Sequence, residues 1–207
     1  GELHKREAVA ALALEFTILT AARTGEVIGA KWDEVDLDKA IWTIPASRMK
    51  AGKPHNVYLS QQALDIMVAL RTSAGGSRFL LPSRYDADRC MSKATLNRVT
   101  QVVVEKAKKA GFPLESFTVH DLRRTGSTIL NELGFNSDWI EKCLAHEDGR
   151  SSRGVYNKAE YADQRRHMQR IVIGRHQRVR AVEQLCKRSA WVDRKVIDDR
   201  VHRVGQG

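Results

Sequence analysis

One short break in an otherwise helical pattern constrains the fold of this chain more than any other feature. Residues 5–22 place apolar side chains at helical spacing, with no proline or glycine among them, and predict a largely buried helix. Residues 32–60 lose that period, because IWTI and HNVYL alternate apolar and polar side chains and are separated by Asp, Gly and Pro. This stretch predicts a small antiparallel sheet of two or three strands.

Helical signals return after the sheet. Helices are predicted behind the N-cap candidates Ser60, Ser92 and Thr118, ending near Leu70, Ala110 and Gly134, and a shorter helix is predicted from Ser137 to about His146. Helical spacing is also present around residues 155–172. We therefore predict an α+β fold that is mainly α-helical, with one small antiparallel sheet. Residues 1–172 are predicted to form the domain, and residues 173–207 a basic C-terminal tail.

The composition supports a packed domain and excludes several classes of protein. Hydrophobic residues make up 42% of the 207 residues, which is enough to bury a core at this length. No stretch approaches the roughly 18 apolar residues of a membrane span, and the N-terminus lacks the layout of a signal peptide. The three cysteines lie far apart without a CxxC pair, so we expect free thiols rather than a disulfide framework or a zinc site. We expect a soluble protein in a reducing cytoplasm.

The positive charge is concentrated at the C-terminal end. The net charge is +10, of which residues 165–207 contribute +8, from twelve Lys or Arg and four Asp or Glu, leaving +2 for the rest. A basic tail of this kind is either a solvated helix or arm, or a contact for DNA or a partner. Whole-chain charge does not decide between these interpretations.

The polar residues fit none of several familiar enzyme motifs, since the chain has no GxxxxGK[ST] loop, no HExxH pair and no GxSxG turn. A dispersed set of candidates remains: Arg23, Lys50, His120, Arg123, His146 and Tyr156. Within it, His120 and Arg123 are three residues apart and share a face in the first turn of a predicted helix. That turn also offers unpaired backbone N–H groups, so it is a suitable site for a phosphate.

Four segments, in order, resemble the tyrosine recombinase (phage integrase) family over roughly residues 5–170. ARTGEVIGAKWDEVDLD is similar to its first arginine box, SRMKAGK to its lysine-bearing hairpin, TVHDLRRTGST to its His-x-x-Arg box, and LAHEDGRSSRGVYNKAEY to its closing His … Tyr segment. The wording of that last segment is most similar to prophage and genomic-island integrases.

The resemblance implies a role for each candidate. The arginine pair falls on Arg23 and Arg123, the hairpin lysine on Lys50 with Lys53 as the other register, the two histidines on His120 and His146, and the nucleophile on Tyr156 with Tyr161 as its rival. Tyr156 is favoured because it lies ten residues after His146, close to the family interval, whereas Tyr161 lies fifteen after it.

The implied activity is site-specific DNA cleavage and rejoining through a 3′-phosphotyrosyl bond, with no cofactor, metal or ATP. The implied partner is double-stranded DNA, with self-association on it, as in the tetramers of the full-length family, inside a bacterial cytoplasm. The family's N-terminal DNA-clamping region is missing, so we expect an isolated catalytic domain. The alternatives are a type IB topoisomerase, a non-catalytic DNA-binding module of the same fold, and a purely structural helical protein.

Overall fold

The computed structural model describes residues 2–112, 114–146 and 159–171. Its helices are α1 (Glu2–Thr20), α2 (Thr24–Ile28), α3 (Gln61–Ser73), α4 (Lys93–Lys109), α5 (Val119–Glu132), α6 (Ser137–Cys143) and α7 (Ala162–Ile171). Its strands are β1 (Val35–Asp36), β2 (Ile41–Ile44) and β3 (His55–Tyr58). The predicted class, mainly α-helical with a small antiparallel sheet, is confirmed.

The sheet forms where the helical period breaks. Its three strands lie in the order β1-β2-β3 and both pairings are antiparallel. In β2 the side chains of Trp42 and Ile44 are fully buried while Thr43 between them is exposed, which is the alternation expected of a strand with one face on a core. The β2–β3 connection carries the lysine turn, so the sheet fixes where Lys50 stands.

The helix starts follow the side-chain caps predicted from the sequence. Ser60 and Ser92 each accept a hydrogen bond from the main chain three residues on, at 3.3 and 3.2 Å. Thr118 and Asp121 form both arms of a capping box at the start of α5. Ser137 is the first residue of α6, but Asn136 supplies its cap.

Helix α1 runs through the main core and packs against α3, α4 and α5. Its Ala13, Leu14 and Phe16 are fully buried, which agrees with the largely buried helix predicted at this position. A second, smaller cluster includes Leu130 of α5, Ile140 and Cys143 of α6 and Met168 of α7. The two clusters place the ends of α1, α5 and α6 beside one another.

The C-terminal predictions are met only in part by the described residues. Helix α7 lies within the predicted helical stretch, whereas Tyr156 and the tail 173–207 lie outside the described residues, and the domain boundary stays a prediction. Cys143 is a buried free thiol whose pKa is raised by burial, and Cys90 is a half-buried free thiol; Cys186 is outside the described residues. Within the described part of the chain, no helix is long and apolar enough to cross a membrane.

Candidate active site

Four of the six candidate residues line one open cleft with a volume of about 510 Å³. They are Arg23, Lys50, His120 and Arg123, which come from the start of α2, the β2–β3 connection and the first turn of α5. The other lining residues are Ala22, Thr24, Gly25, Glu26, Arg48, Lys93 and Val119. Residues up to 100 positions apart in the sequence therefore share one cationic surface.

Arg123 is the most buried of these cations, with 6% of its surface exposed. The capping box sets the first turn of α5, and from it the guanidinium reaches between two helix ends. Its Nη1 donates to the carbonyl of Ala21, directly after α1, and its Nη2 donates to the carbonyl of Leu144, directly after α6. Helix C-termini leave carbonyls without helical partners and carry partial negative charge, so they accept from a cation without neutralising it.

Two alanines shape the helix ends beside this contact. Ala21 after α1 and Ala145 after α6 have left-handed backbone, with φ of 51° and 47°. A left-handed residue stops a helix abruptly and turns the chain away. The Ala21 carbonyl accepts a hydrogen bond from Arg123, and the Ala145 carbonyl accepts one from Arg23 Nη2 at 3.5 Å. Each of these two helix ends therefore offers a carbonyl to one of the two candidate arginines.

The electrostatic cost of this arrangement is visible in Arg123 itself. Burial first, and then the charge of Arg23, lowers the pKa of Arg123 to about 10. The group remains protonated at neutral pH, yet its charged form is less favourable here than in water. An anion placed in the cleft would relieve both effects, which is what a phosphate-binding pair of arginines requires.

Arg23 is oriented by Glu26. The carboxylate accepts from the Arg23 main-chain N–H at 2.7 Å and from its Nη1 at 2.9 Å, and its side chain is only 6% exposed. The two side chains form an i, i+3 ion pair. Glu26 therefore holds both the main chain of Arg23 and one edge of its guanidinium. The Arg23 side chain remains one-third exposed, on the side of the cleft.

Lys50 and His120 are exposed side chains that line the cleft, one from the β2–β3 connection and the other from the start of α5. Arg48 supports the turn that carries Lys50: it donates to the Glu34 carboxylate and to the main-chain carbonyl of Glu26. Gly29 makes room for it, because a Cβ there would lie 3.1 Å from Arg48 Nη2. Lys53, the alternative register for the hairpin lysine, is not among the lining residues.

His146 lies at the edge of this arrangement. Its Nδ1 is 3.0 Å from Glu141 Oε2, its side chain is 46% exposed, and it directly follows Ala145, whose carbonyl is 3.5 Å from Arg23. Tyr156 lies outside the described residues. The rival Tyr161 packs its ring on Trp139, with centroids 6.1 Å apart, and its carbonyl accepts from Arg165 in the first turn of α7.

Three polar residues near the site were not singled out by the sequence. Lys93 is the first residue of α4, and its Cε lies 3.8 Å from where a Cβ on Gly25 would stand, so its side chain lines the cleft beside Gly25. His55 is mostly buried; burial, then the charge of Arg165, lowers its pKa to about 4. Arg48 lies two residues before Lys50, inside the SRMKAGK segment, so the sequence could have indicated it. Lys93 and His55 lie in no motif that would have pointed to the site.

The described residues offer no group of three or more His, Cys, Asp or Glu side chains close enough to hold a metal ion. The four candidate residues bring two guanidiniums, an ammonium and an imidazole to one volume, and Arg48 and Lys93 add a further guanidinium and ammonium to its lining. Such a set binds a phosphate and leaves two groups with titratable protons beside it.

Comparisons with known proteins match this chain to one sequence family and to solved structures of similar fold. The sequence model described as "Phage integrase family" matches residues 2–163. The prophage integrase IntA of Escherichia coli is 39% identical over 151 residues, covering 73% of this chain and 35% of that protein. The crystal structure of XerA recombinase aligns with a TM-score of 0.54 at 18% identity, over 85% of this chain and 64% of that one. The Tn1549 transposon integrase in complex with a circular intermediate DNA aligns with a TM-score of 0.58 at 15% identity, over 77% and 58%.

Proposed function

Since the chain belongs to the phage integrase family, we propose that it is the catalytic domain of a site-specific DNA recombinase that cleaves and rejoins strands through a 3′-phosphotyrosyl intermediate. The chain spans little more than a third of the length of the relatives it matches. The observation that carries the proposal is the convergence of Arg23, Lys50, His120 and Arg123 on one cleft.

The arginines act on the scissile phosphate. Arg123, held by two helix-end carbonyls, and Arg23, held by Glu26, are fixed before DNA arrives. Guanidiniums fixed in this way hold the non-bridging oxygens and stabilise the charge that moves onto them in the pentavalent transition state. The lowered pKa of Arg123 supports this role, because the charge is partly uncompensated until an anion binds.

The proton transfers fall to the exposed groups. Tyr156 Oη attacks phosphorus and its proton passes to His120, while the bond to the 5′-oxygen breaks and Lys50 protonates that leaving oxygen. His146 donates a further hydrogen bond to the phosphate. One P–O ester bond is exchanged for another, so the phosphotyrosyl bond conserves the energy needed for religation and no ATP is required. The cationic side chains take the place of a divalent metal.

The partner in this proposal is double-stranded DNA carrying an attachment site. Strand exchange requires two duplexes, so we propose that several copies of the whole protein assemble on DNA, as a tetramer. The reaction belongs in the bacterial cytoplasm, where that DNA resides.

The direct test is covalent capture on a nicked suicide substrate, which loses a short 5′-hydroxyl strand so that religation cannot occur. Wild-type protein is expected to give an SDS-resistant protein–DNA adduct. Tyr156→Phe is expected to abolish the adduct, because only the nucleophilic oxygen is lost. Tyr161→Phe is the matched control and is expected to form the adduct at the wild-type rate.

The opposite pattern, with Tyr161→Phe inactive and Tyr156→Phe active, would reassign the nucleophile. No adduct with any variant, under conditions where the protein binds the same duplex, would leave this chain as a DNA-binding module.

A further inference from the structure

A second buried arginine lies outside the cleft and has no part in the chemistry above. Arg165, on α7, has 2% of its surface exposed. Its Nη1 donates to the Glu160 carbonyl and to the Glu160 carboxylate, both at 3.2 Å, and its Nη2 donates to the main-chain carbonyl of Asn56 on β3. Its guanidinium also lies 4.9 Å from the centroid of the Tyr58 ring, and its charge is near enough to Cys143 on α6 to oppose the rise that burial causes in the pKa of that thiol.

These contacts are close in sequence to the reacting groups. Asn56 is six residues after Lys50, Cys143 is three residues before His146, and Glu160 is four residues after Tyr156. One guanidinium therefore joins the three chain segments that lead into the proposed general acid, the second histidine and the nucleophile. A side chain that only filled space would not need hydrogen bonds directed at two of these segments, Glu160 and Asn56.

Stability alone does not account for an arginine at this place. Burying a guanidinium carries a large desolvation penalty, and an apolar side chain of similar volume avoids it. Helix α7 already contributes the fully buried Met168 to the second core cluster. What arginine adds is geometry, because its planar fork fixes the direction of every contact that it makes.

We propose that Arg165 is a positioning residue for strand cleavage: it anchors the segment that follows the nucleophile to β3 and α6, and so sets the distance from Tyr156 to the cleft. The inference rests on the proposed function. In this proposal Arg165 touches neither DNA nor the scissile phosphate. It acts through the main chain of Glu160 and Asn56, to which it is hydrogen-bonded.

The test compares Arg165→Met, which keeps the volume and removes the fork, with Arg165→Lys and Arg166→Met. Arg166 is the matched control: it lies over the same Tyr58 ring at 4.6 Å, but its side chain is 40% exposed and pairs with Asp163 on its own helix. Arg166→Met removes the same charge one residue away and leaves the Arg165 hydrogen bonds to Glu160 and to the β3 main chain in place.

Single-turnover adduct formation at saturating suicide substrate is the first measurement. Arg165→Met is expected to bind the duplex like wild type and to react about 10–100-fold more slowly, the scale on which a misplacement of about 1 Å acts. The final adduct yield is expected to equal that of wild type, because positioning changes a rate constant, whereas partial unfolding lowers the yield. Arg165→Lys is expected to fall between, and Arg166→Met to stay within about twofold of wild type.

Hydrogen exchange measures the anchoring without relying on activity. Amides of residues 163–171 are expected to exchange faster in Arg165→Met and Arg165→Lys than in wild type or Arg166→Met, while α1 is unchanged.

If Arg165→Met does not fold, the Arg165→Lys variant provides the test: a wild-type adduct rate and wild-type exchange in that variant overturn the proposal. An equal rate loss in Arg166→Met, or a loss of yield without a loss of rate, overturns it too. Faster exchange with no adduct from wild-type protein leaves the anchor intact and rejects the proposed function instead.

Discussion

Arg123 and Arg165 are both buried guanidiniums, 6% and 2% exposed, yet they are held by different kinds of group. Arg123 donates to two main-chain carbonyls at helix ends and faces an open cleft. Arg165 donates to the main-chain carbonyls of Glu160 and Asn56 and to the Glu160 carboxylate, and it lies over an aromatic ring. Carbonyl dipoles leave a net positive charge for an arriving anion, whereas Glu160 compensates the charge of Arg165 within the protein. The two buried arginines thus differ in how far the protein itself compensates their charge.

Among the variants that test this comparison, the largest effect is expected at Arg123, because its charge lines the cleft in which we propose that the reacting phosphate binds. Arg123→Lys is expected to slow adduct formation by about 10²–10³, the loss that follows removal of one preorganised transition-state donor. Lysine keeps the charge but cannot span the two helix-end carbonyls and the phosphate together. The measurement is the single-turnover rate against the duplex dissociation constant, with Arg166→Lys as the control. Equal losses in binding and rate would make Arg123 an ordinary phosphate anchor.

His55 lies in the electrostatic field of both regions, and its pKa tests the comparison. Burial, followed by Arg165 and more weakly by Arg123 and Arg23, lowers that pKa to about 4. The folded pKa is below the unfolded value of about 6.5, so the unfolded state takes up the proton first. Folding stability from His55 is complete above pH 6.5 and is lost as the pH falls toward 4.

The expected result is a pH-dependent gap between wild type and His55→Gln. Below pH 6.5 the free energy of unfolding of wild type should fall more steeply, by at most about 1.4 kcal/mol per pH unit for one proton. Denaturant unfolding at pH 7.5, 6.5, 5.5 and 4.5 measures it. A constant gap across this range would show that His55 titrates normally. In Arg165→Met the pKa of His55, followed by NMR, is expected to rise, since the largest nearby charge is gone.

Lys93, which lines the same cleft as Arg123, tests whether that cleft binds a phosphate of DNA. Lys93→Gln is expected to weaken DNA binding and to reduce the slope of log affinity against log salt by about 0.9, the share of one phosphate contact. Lys109, at the other end of the same helix and about 24 Å away by helical rise, provides the control. Lys109→Gln is expected to leave the cleavage rate unchanged. Identical salt slopes for the two variants would mean that Lys93 contributes only diffuse charge.

The smallest effect concerns the helix end that holds Arg123. Ala21 has left-handed backbone at φ 51°, which costs an L-residue roughly 1–2 kcal/mol relative to the right-handed region. Ala21→Gly is expected to raise the free energy of unfolding by up to about 1 kcal/mol, since glycine adopts this backbone without strain but is freer when unfolded. Ala22→Gly, which removes a buried methyl group, is expected to lower it. Thermal unfolding of the two variants decides, and a destabilised Ala21→Gly would contradict the account of this turn.

The local elements of this protein were determined by its sequence. The caps at Ser60, Ser92 and Thr118, the alternation in β2 and the buried period of α1 each depend on residues within a few positions of one another, so they were predictable and are confirmed. The family boxes likewise identified Arg23, Lys50, His120 and Arg123, which the fold brings to one cleft.

What only the tertiary structure decided is how each charge is held. The acceptors of Arg123 are main-chain carbonyls 102 and 21 residues away, and that of Arg165 on β3 is 109 residues away. Main-chain acceptors leave no trace in residue type, because every residue has the same carbonyl. Lys93 and His55 gained their importance in the same way, since their neighbours come from elements distant in sequence. A sequence therefore records which cations are present, while the packing of helix ends and strands decides which one lines the cleft and which one is enclosed between α7 and β3.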